Sequence, residues 1–375
     1  MMNYNNLILA KLVWDGGSVF IPEEMGEPRC DQMQGTPAEL LSEIAGRVCY
    51  DSLGKGRPSF TNNTDATVIE GYHDHILKVG HGSVLEHYNF TIQINNLENV
   101  DKMTIAWLCM NRPGVLLLPC RNNSKSVRIT TNLRSVVEWE KFTKELYVKT
   151  GLADSEYIFS DALLRGALKS AAAIIAPHIV SIPESSWDYQ FASPSNDHER
   201  WISMYLTGSR GLSHELVRHG DFTAISQRST RFVDESEGRW VQHPLETEWR
   251  EGDTGWIDDS DTQQSAKDMY KFLVGELEPW LIARGIDKLG ARKQARGAAR
   301  GYLGNALQTE LIFSASVAQW HRMLRQRASV FADAEIRELF CKVLPELKRS
   351  RYSGSFENWN LQPSPDGIGQ IAVEN

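Results

Sequence analysis

Four arginines, Arg210, Arg218, Arg228 and Arg231, crowd the stretch from 210 to 232, interleaved with Ser213, Gln227, Ser229, Thr230 and the glycines at 211 and 220. Arginine suits phosphate because its planar guanidinium makes paired, charge-assisted hydrogen bonds. Hydroxyls and the open backbone at glycine add further donors. The stretch has too little apolar periodicity for a plain amphipathic surface helix, so it reads as an anion site. Arg292, Arg296 and Arg300 lie four apart and share one helical face; for Arg292 and Arg296 the reading is solvated surface. Arg322, Arg325 and Arg327 follow on another helix.

Two other groupings carry less. His214-Glu215 followed by His219 is one residue too long for the zinc motif HExxH. Five residues turn a helix by about 500°, which leaves the second histidine roughly 140° off the face of the first. Zinc is therefore not expected. The five cysteines (Cys30, Cys49, Cys109, Cys120, Cys341) are scattered without a CxxC pair, which points to a reducing compartment rather than a disulfide framework. The apolar run 7–13 is short and interrupted by Lys11, and no stretch approaches membrane-spanning length. A cytoplasmic protein with no membrane partner is the expectation. A net charge of −8 argues against a nucleic-acid coat protein, yet leaves room for a small anion held by clustered arginines.

The elements that must position these residues are α+β with a helical majority and a small antiparallel sheet. Thr36-Pro37-Ala38-Glu39 opens a helix to about residue 50, with Thr36 as N-cap and Glu39 closing a capping box. A second helix is expected over 64–80. Residues 88–94 alternate apolar and polar side chains, the period of a half-buried strand. Within 151–200 one helix (about 158–175) precedes a long loop marked by prolines and serines. Residues 235–262, acidic and dotted with Trp240, Trp249 and Trp256, read as a surface excursion. Helices follow over 262–283, 288–310, 314–328 and 332–348, and the tail after Gly354 reads as loosely ordered.

Five segments in order resemble the flavin-dependent thymidylate synthases of the ThyX family. Arg218-His219-Gly220 followed by Ser226-Gln227-Arg228-Ser229-Thr230-Arg231-Phe232 is similar to that family's signature. Arg47-Val48-Cys49-Tyr50 and Gly80-His81-Gly82-Ser83-Val84-Leu85-Glu86-His87 resemble its N-terminal flavin-contacting segments. Ala299-Arg300-Gly301-Tyr302-Leu303 resembles a downstream element, and Trp320, Leu324, Arg327 and Ala332 to Arg337 match its closing helices. The departures are Gly220 for arginine, Phe232 for tyrosine, Gly304 for proline, and Ser316 and Ala318 for asparagine and arginine. One more residue than usual separates Arg218 from Ser229. The resemblance divides the chain into an N-terminal part (1–95), an insertion (96–200), a C-terminal part with the signature (201–355) and a tail (356–375).

That resemblance implies transfer of a one-carbon unit from methylenetetrahydrofolate to C5 of dUMP, with FAD reduced by NADPH, in a homotetramer. It implies Arg327 as the catalytic cation, stabilising charge that develops on the pyrimidine. Glu215, Gln227, Ser229, Arg231 and Arg300 are then the further substrate contacts. His81, Ser83, Glu86, Arg218 and His219 are the flavin contacts. The alternatives are that Ser229 caps a turn and that Arg327 pairs with Glu335. Thr130 to Trp139 contains Asn132-Leu133-Arg134-Ser135, similar to the asparagine–arginine pair absent at 316 and 318, so Asn132 and Arg134 are added to the flavin contacts. Cys120, in Leu118-Pro119-Cys120-Arg121, echoes the nucleophile of the flavin-free thymidylate synthases but reads as a small buried side chain. Two other functions compete: a dUMP or dCMP hydroxymethylase of the same family, and a non-catalytic nucleotide-binding homologue.

Overall fold

A computed structural model of the chain describes residues 7–25, 35–52, 76, 78, 81–110, 112, 114–120, 123–150, 155–177, 179–180, 186–220, 223–252 and 260–375. In chain order the elements are β1 (Leu9–Trp14), α1 (Pro37–Cys49), β2 (Asn89–Ile94), α2 (Asn99–Met110), β3 (Val115–Pro119) and β4 (Val127–Asn132). Then come α3 (Leu133–Val137), α4 (Trp139–Thr150), α5 (Ser155–Ile175), β5 (Tyr189–Phe191), β6 (Trp201–Ser209), α6 (Arg210–Leu216) and β7 (Thr223–Gln227). The last are α7 (Pro244–Gly252), α8 (Ser260–Ile282), α9 (Lys288–Ala299), β8 (Gln308–Ser316), α10 (Val317–Arg327), α11 (Ala334–Arg349), β9 (Trp359–Pro363) and β10 (Gln370–Glu374).

The fold is α+β, as expected, but with more sheet than the sequence pattern indicates. Two four-stranded antiparallel sheets run in the orders β1-β6-β8-β7 and β3-β4-β2-β5, with a β9–β10 hairpin besides. One core cluster gathers α1, β2, α2, β4 and α5; a second gathers β6, β8, α10 and α11. Burial of these apolar faces, at about 25 cal/mol per Å², is the main force holding the layers.

Helix α1 starts as the sequence indicates. Pro37 occupies the first turn, Thr36 Oγ1 accepts from the Glu39 amide at 3.3 Å, and the Glu39 carboxylate accepts from the Thr36 amide at 3.0 Å. The helix expected over 64–80 falls outside the described residues, apart from Ile76 and Lys78, which are helical. β2 matches the alternating segment, and the helix expected near 158–175 is α5.

Four expectations fail. The helix expected over 288–310 stops at Ala299, passes through a 3-10 turn at Arg300–Tyr302, and gives way to β8 at Gln308. Leu311, Ile312 and Phe313 are fully buried, because β8 is a central strand covered on both faces. A continuous apolar run of that kind does not distinguish strand from helix, and pairing with β6 and β7 decides it. The helix expected from 314 begins only at Val317 for the same reason. Residues 235–262 are not wholly a surface excursion: α7 forms there, and Trp240 packs on the cluster of Tyr270, Ala299, Leu303 and Leu307. Finally, the tail is ordered. β9 and β10 pair from Trp359↔Glu374 to Pro363↔Gln370, and Trp359 is buried against the second core.

Candidate functional site

Three groups of side chains stand around α6. The first is built on Arg327, at the last turn of α10. Its Nη1 donates to Glu215 Oε2 at 2.6 Å and its Nε to His219 Nε2 at 2.9 Å. Glu335, the alternative partner, instead accepts from the Ser209 amide at 2.8 Å and hydroxyl at 2.6 Å. His219 is fixed by its backbone, whose carbonyl accepts from Gln319 Nε2 at 3.1 Å. Burial, and then the positive charges of Arg327 and Arg322, push the His219 imidazole down to about 4. The ring is therefore neutral near pH 7, and Nε2 is free to accept from the guanidinium. Glu215 and His219 together hold Arg327 in one orientation. Arg218 is exposed beside them.

The second group lies on the other side of α6. Gln227 Nε2 donates to Ser213 Oγ and to Thr309 Oγ1, both at 3.0 Å. Ser229 is tied by its backbone, its amide donating to the Cys49 carbonyl at 2.9 Å, and its hydroxyl accepts a weak bond from the Arg231 amide at 3.4 Å. The turn-capping alternative for Ser229 thus describes part of its geometry. Arg231 and Arg300 are exposed and make no ion pair among the described residues. Arg210, one of the four arginines of the expected anion site though not of the substrate contacts that the resemblance implies, belongs here too. Burial and then the charge of Arg300 lower its pKa, against the opposing pull of Glu235, and neither Arg210 nor Arg300 is in an ion pair among the described residues. Like charges held close are costly unless an anion joins them.

Arg228 does not share that character. It pairs with Glu235 at 3.1 Å, Asp51 at 3.3 Å and Glu310 at 3.5 Å, which corrects its place in the anion site to a structural one. The reading of Arg296 as solvated surface is also corrected. Its side chain is 13% exposed and donates to the Phe232 carbonyl at 2.5 Å and Asp234 at 2.8 Å, anchoring the end of the signature. Arg292, 42% exposed beside Glu278, stays at the surface.

The third group lines a cavity of about 520 Å³ whose walls include Glu86, Asn132, Arg134, Trp201 and Gly220. Arg134 pairs with Glu86 and lies 3.3 Å from Glu138. Burial lifts the Glu86 carboxyl above its usual range, against the opposing pull of Arg134. Asn132 caps α3, its side-chain oxygen accepting from the Ser135 amide at 2.9 Å. Ser83 is half-buried in the 3-10 turn Gly82–Glu86 that carries Glu86. His81 stands at the start of that turn and meets Tyr50 through its Nδ1 at 3.3 Å. Tyr50 in turn packs edge-on against Phe232, with ring centroids 5.1 Å apart, so it joins the N-terminal segments to the end of the signature. Ser83 and His81 stand beside the cavity without lining it, and none of Arg218, His219, Gln227, Ser229, Arg231 and Arg300 lines it either.

Gly82 shows how tightly this third group is set. A Cβ there would stand 2.8 Å from Glu138 Oε1 and 2.9 Å from Arg134 Nε. Gly82→Ala is therefore expected to displace Arg134 and weaken any anion held in the cavity at least tenfold. The measurement is ligand titration with circular dichroism as the control for folding; an unchanged affinity would refute the close-approach argument. Gly220 is the opposite case, since a Cβ there meets nothing within 4 Å. A side chain at that position would enter open space.

Cys120 is half-buried rather than buried, its thiol donating to Gln93 Oε1 at 3.4 Å, and it does not line the cavity. Among the described residues no group of three His, Cys, Asp or Glu could hold a metal, and Glu215 and His219 of the near-HExxH are both engaged with Arg327. No helix among them is long and apolar enough to cross a membrane.

Comparison with known proteins bears on the first two groups and on Glu86 of the third, while Asn132 and Arg134 lie between the matched regions. Flavin-dependent thymidylate synthase of Mycobacterium avium is 38% identical over 153 residues, which make up 39% of this chain and 57% of the relative. The proteins of the same name from Mycobacterium tuberculosis and Mycobacterium marinum are each 37% identical over 153 residues with the same coverage. The chain thus spans little more than half the length of the curated relatives it matches. The profile of one family, described as "Thymidylate synthase complementing protein", matches residues 32–100 and 200–350, which include α6, the signature, Arg300 and Arg327. More than half of the chain lies within that match, and the chain belongs to this family.

Proposed function

We propose that this protein is a flavin-dependent thymidylate synthase. It transfers a one-carbon unit from methylenetetrahydrofolate to C5 of dUMP and uses FAD reduced by NADPH. The observation that carries the reading is Arg327, a guanidinium held at 2.6 Å by Glu215 and at 2.9 Å by a neutral His219. C5 of uracil is a poor nucleophile. A fixed cation beside the pyrimidine oxygens stabilises the negative charge that builds up there, and its orientation is set before substrate arrives. Arg327 is the catalytic residue in this reading, with Glu215 and His219 as its positioning residues; Glu215 also belongs to the substrate contacts.

Gln227, Ser229, Arg231 and Arg300 bind the nucleotide's phosphate and sugar, and Arg210 joins them. Arg210 and Arg300, near enough for the charge of one to lower the pKa of the other and without an ion pair among the described residues, support a phosphate there. Flavin belongs beside the cavity walled by Glu86, Asn132 and Arg134, with His81, Ser83, Arg218 and His219 as the other contacts. The fit rests on the donor set: a guanidinium and a side-chain amide on a partly apolar wall suit an anionic, flat ligand. Bound and reduced, FAD supplies the hydride. The homotetramer belongs to the same reading, as does a cytoplasmic setting, with which the free Cys49, Cys109, Cys120 and Cys341 agree.

The test is mass spectrometry of dUMP and dCMP after incubation with methylenetetrahydrofolate, FAD and NADPH. A gain of one methyl group on dUMP is expected. A hydroxymethyl gain on either nucleotide would replace the reading with the hydroxymethylase, and no gain with a purified protein that lacks flavin absorbance would replace it with a non-catalytic binder. Cys120→Ser should keep turnover within about twofold of the parent, since an electrostatic route needs no thiol nucleophile. A folded but inactive Cys120→Ser protein would favour a covalent route.

A further inference from the structure

The two four-stranded sheets are the same sheet built twice. In each, a first strand (β2, β6) leads through a helix (α2, α6) to a second strand (β3, β7). The third strand (β4, β8) then inserts antiparallel between the first two. The registers agree position by position. Asn89 faces Asn132 at the end of β4, and Trp201 faces Ser316 at the end of β8. One residue earlier, Thr131 faces Val115 and Ala315 faces Thr223. Thr91 and Thr130 face each other and share a hydroxyl bond of 2.8 Å; their counterparts Ser203 and Ser314 share one of 2.5 Å. Each third strand ends on a residue that caps the next helix: Asn132 from the Ser135 amide at 2.9 Å, Ser316 from the Gln319 amide at 3.2 Å.

The outer strands complete the pattern by crossing over. β1 precedes the first unit in sequence but pairs with β6 of the second, Leu12 facing Met204. β5 precedes the second unit but pairs with β2 of the first, Phe191 facing Ile92. Ile92 and Met204 are equivalent positions under the same register. Such reciprocal exchange of an identical element is how two copies of one fold associate about a two-fold axis. The 520 Å³ cavity lies on the seam, because both members of two equivalent pairs line it: Asn89 with Trp201, and Val115 with Thr223.

We infer that residues 89–175 and 201–349 are an internal duplication with exchanged edge strands, and that the seam cavity binds one flavin per chain. This rests on the flavin reading above. A two-fold seam would offer two equivalent half-sites, each walled by the cap of one third strand and the residue two places on. The first unit keeps Asn132 and Arg134 there; the second has Ser316 and Ala318, with no charge to offer. Conversely, the second unit holds Arg327, His219 and Glu215 together. The units have divided the work, so the segment between the two matched regions is a diverged copy rather than an unrelated insertion.

The full-length protein is titrated with FAD by calorimetry, and each variant is followed by thermal unfolding without ligand. One FAD per chain is expected, and two per chain would overturn the single half-site. Arg134→Ala should lose at least tenfold in FAD affinity with little change in Tm, and an unchanged affinity would also overturn it. Asn132→Ala and Ser316→Ala each remove an equivalent cap, so each should lower Tm by about 2–4 °C, but only Asn132→Ala should weaken FAD. If Ser316→Ala leaves Tm unmoved while Asn132→Ala lowers it, the two positions are not equivalent and the duplication falls. If the parent protein takes up no FAD at all, the flavin reading falls, and the duplication then stands or falls on the Tm comparison alone.

Discussion

Arg327→Ala is expected to lower turnover of dUMP by about 10²–10³-fold while flavin stays bound, which is the typical cost of removing one preorganised charge donor. The argument is geometric. Two acceptors from one short segment, the Glu215 carboxylate at 2.6 Å and the His219 imidazole at 2.9 Å, hold the guanidinium before any substrate arrives. Removing the cation loses the charge; removing a holder keeps the charge but loses its aim, together with that holder's own contact to substrate or flavin. Glu215→Gln should therefore cost less than Arg327→Ala, and His219→Gln should behave similarly. Single-turnover measurements on flavin-loaded protein, with absorbance confirming the bound flavin, separate these effects. Near-parental turnover in Arg327→Ala would remove Arg327 from the chemistry altogether.

The same histidine sets a pH dependence. His219 is held down to about 4 by burial and by Arg327, and fully buried His87 is held down to about 3 by burial. In the unfolded chain both titrate near 6.5. As pH falls below about 6.5 the unfolded state takes up protons that the folded state refuses. Stability is then complete above about pH 6.5 and is lost progressively toward pH 4. Thermal unfolding at pH 7.5 and 5.0 should show a lower Tm at the acid value, and His219→Gln should reduce that difference. A Tm that does not fall between these pH values would contradict the buried, neutral state of both rings.

Asp161→Ala should produce the largest loss of stability, about 3–5 kcal/mol. Arg112, on the cavity wall, is buried, and its Nη2 donates to Asp161 Oδ1 at 2.9 Å and to Thr143 Oγ1 at 2.5 Å. Its Nη1 donates to the Trp139 carbonyl at 3.0 Å, and its guanidinium carbon lies 3.7 Å from the Trp139 ring centroid. Asp161 also accepts from Trp139 Nε1 at 2.9 Å. The network ties the start of β3 to α4 and α5. Taking away the carboxylate leaves a buried guanidinium without its countercharge and an indole N–H without an acceptor, and both are costly. Denaturant titration of Asp161→Ala and Asp161→Asn checks the argument. Asparagine keeps an acceptor but not the charge and should lose less than alanine; equal losses would mean that the missing charge, not the missing acceptor, carries the cost.

The sequence alone determined the family resemblance and the residues that carry it, because motifs are contiguous and their order survives divergence. It also determined α1, whose Thr36–Glu39 capping box is a local interaction between residues three apart, and β2, whose alternation marks one buried face. What it could not determine depends on contacts between distant segments. β8 reads as helix until β6 and β7 flank it, since a strand buried on both faces loses its alternation. Arg228 and Arg296 look like their neighbours in the sequence, and it is tertiary partners, Glu235, Asp51 and Glu310 for one and Asp234 and the Phe232 carbonyl for the other, that separate them from Arg231 and Arg300. Asn132-Leu133-Arg134 was legible as an echo of a missing motif, but its meaning was not. Equivalence of Asn132 with Ser316 is a matter of strand register and helix capping, and register is set by cross-strand pairing that leaves no mark on residue identity once the two copies have diverged.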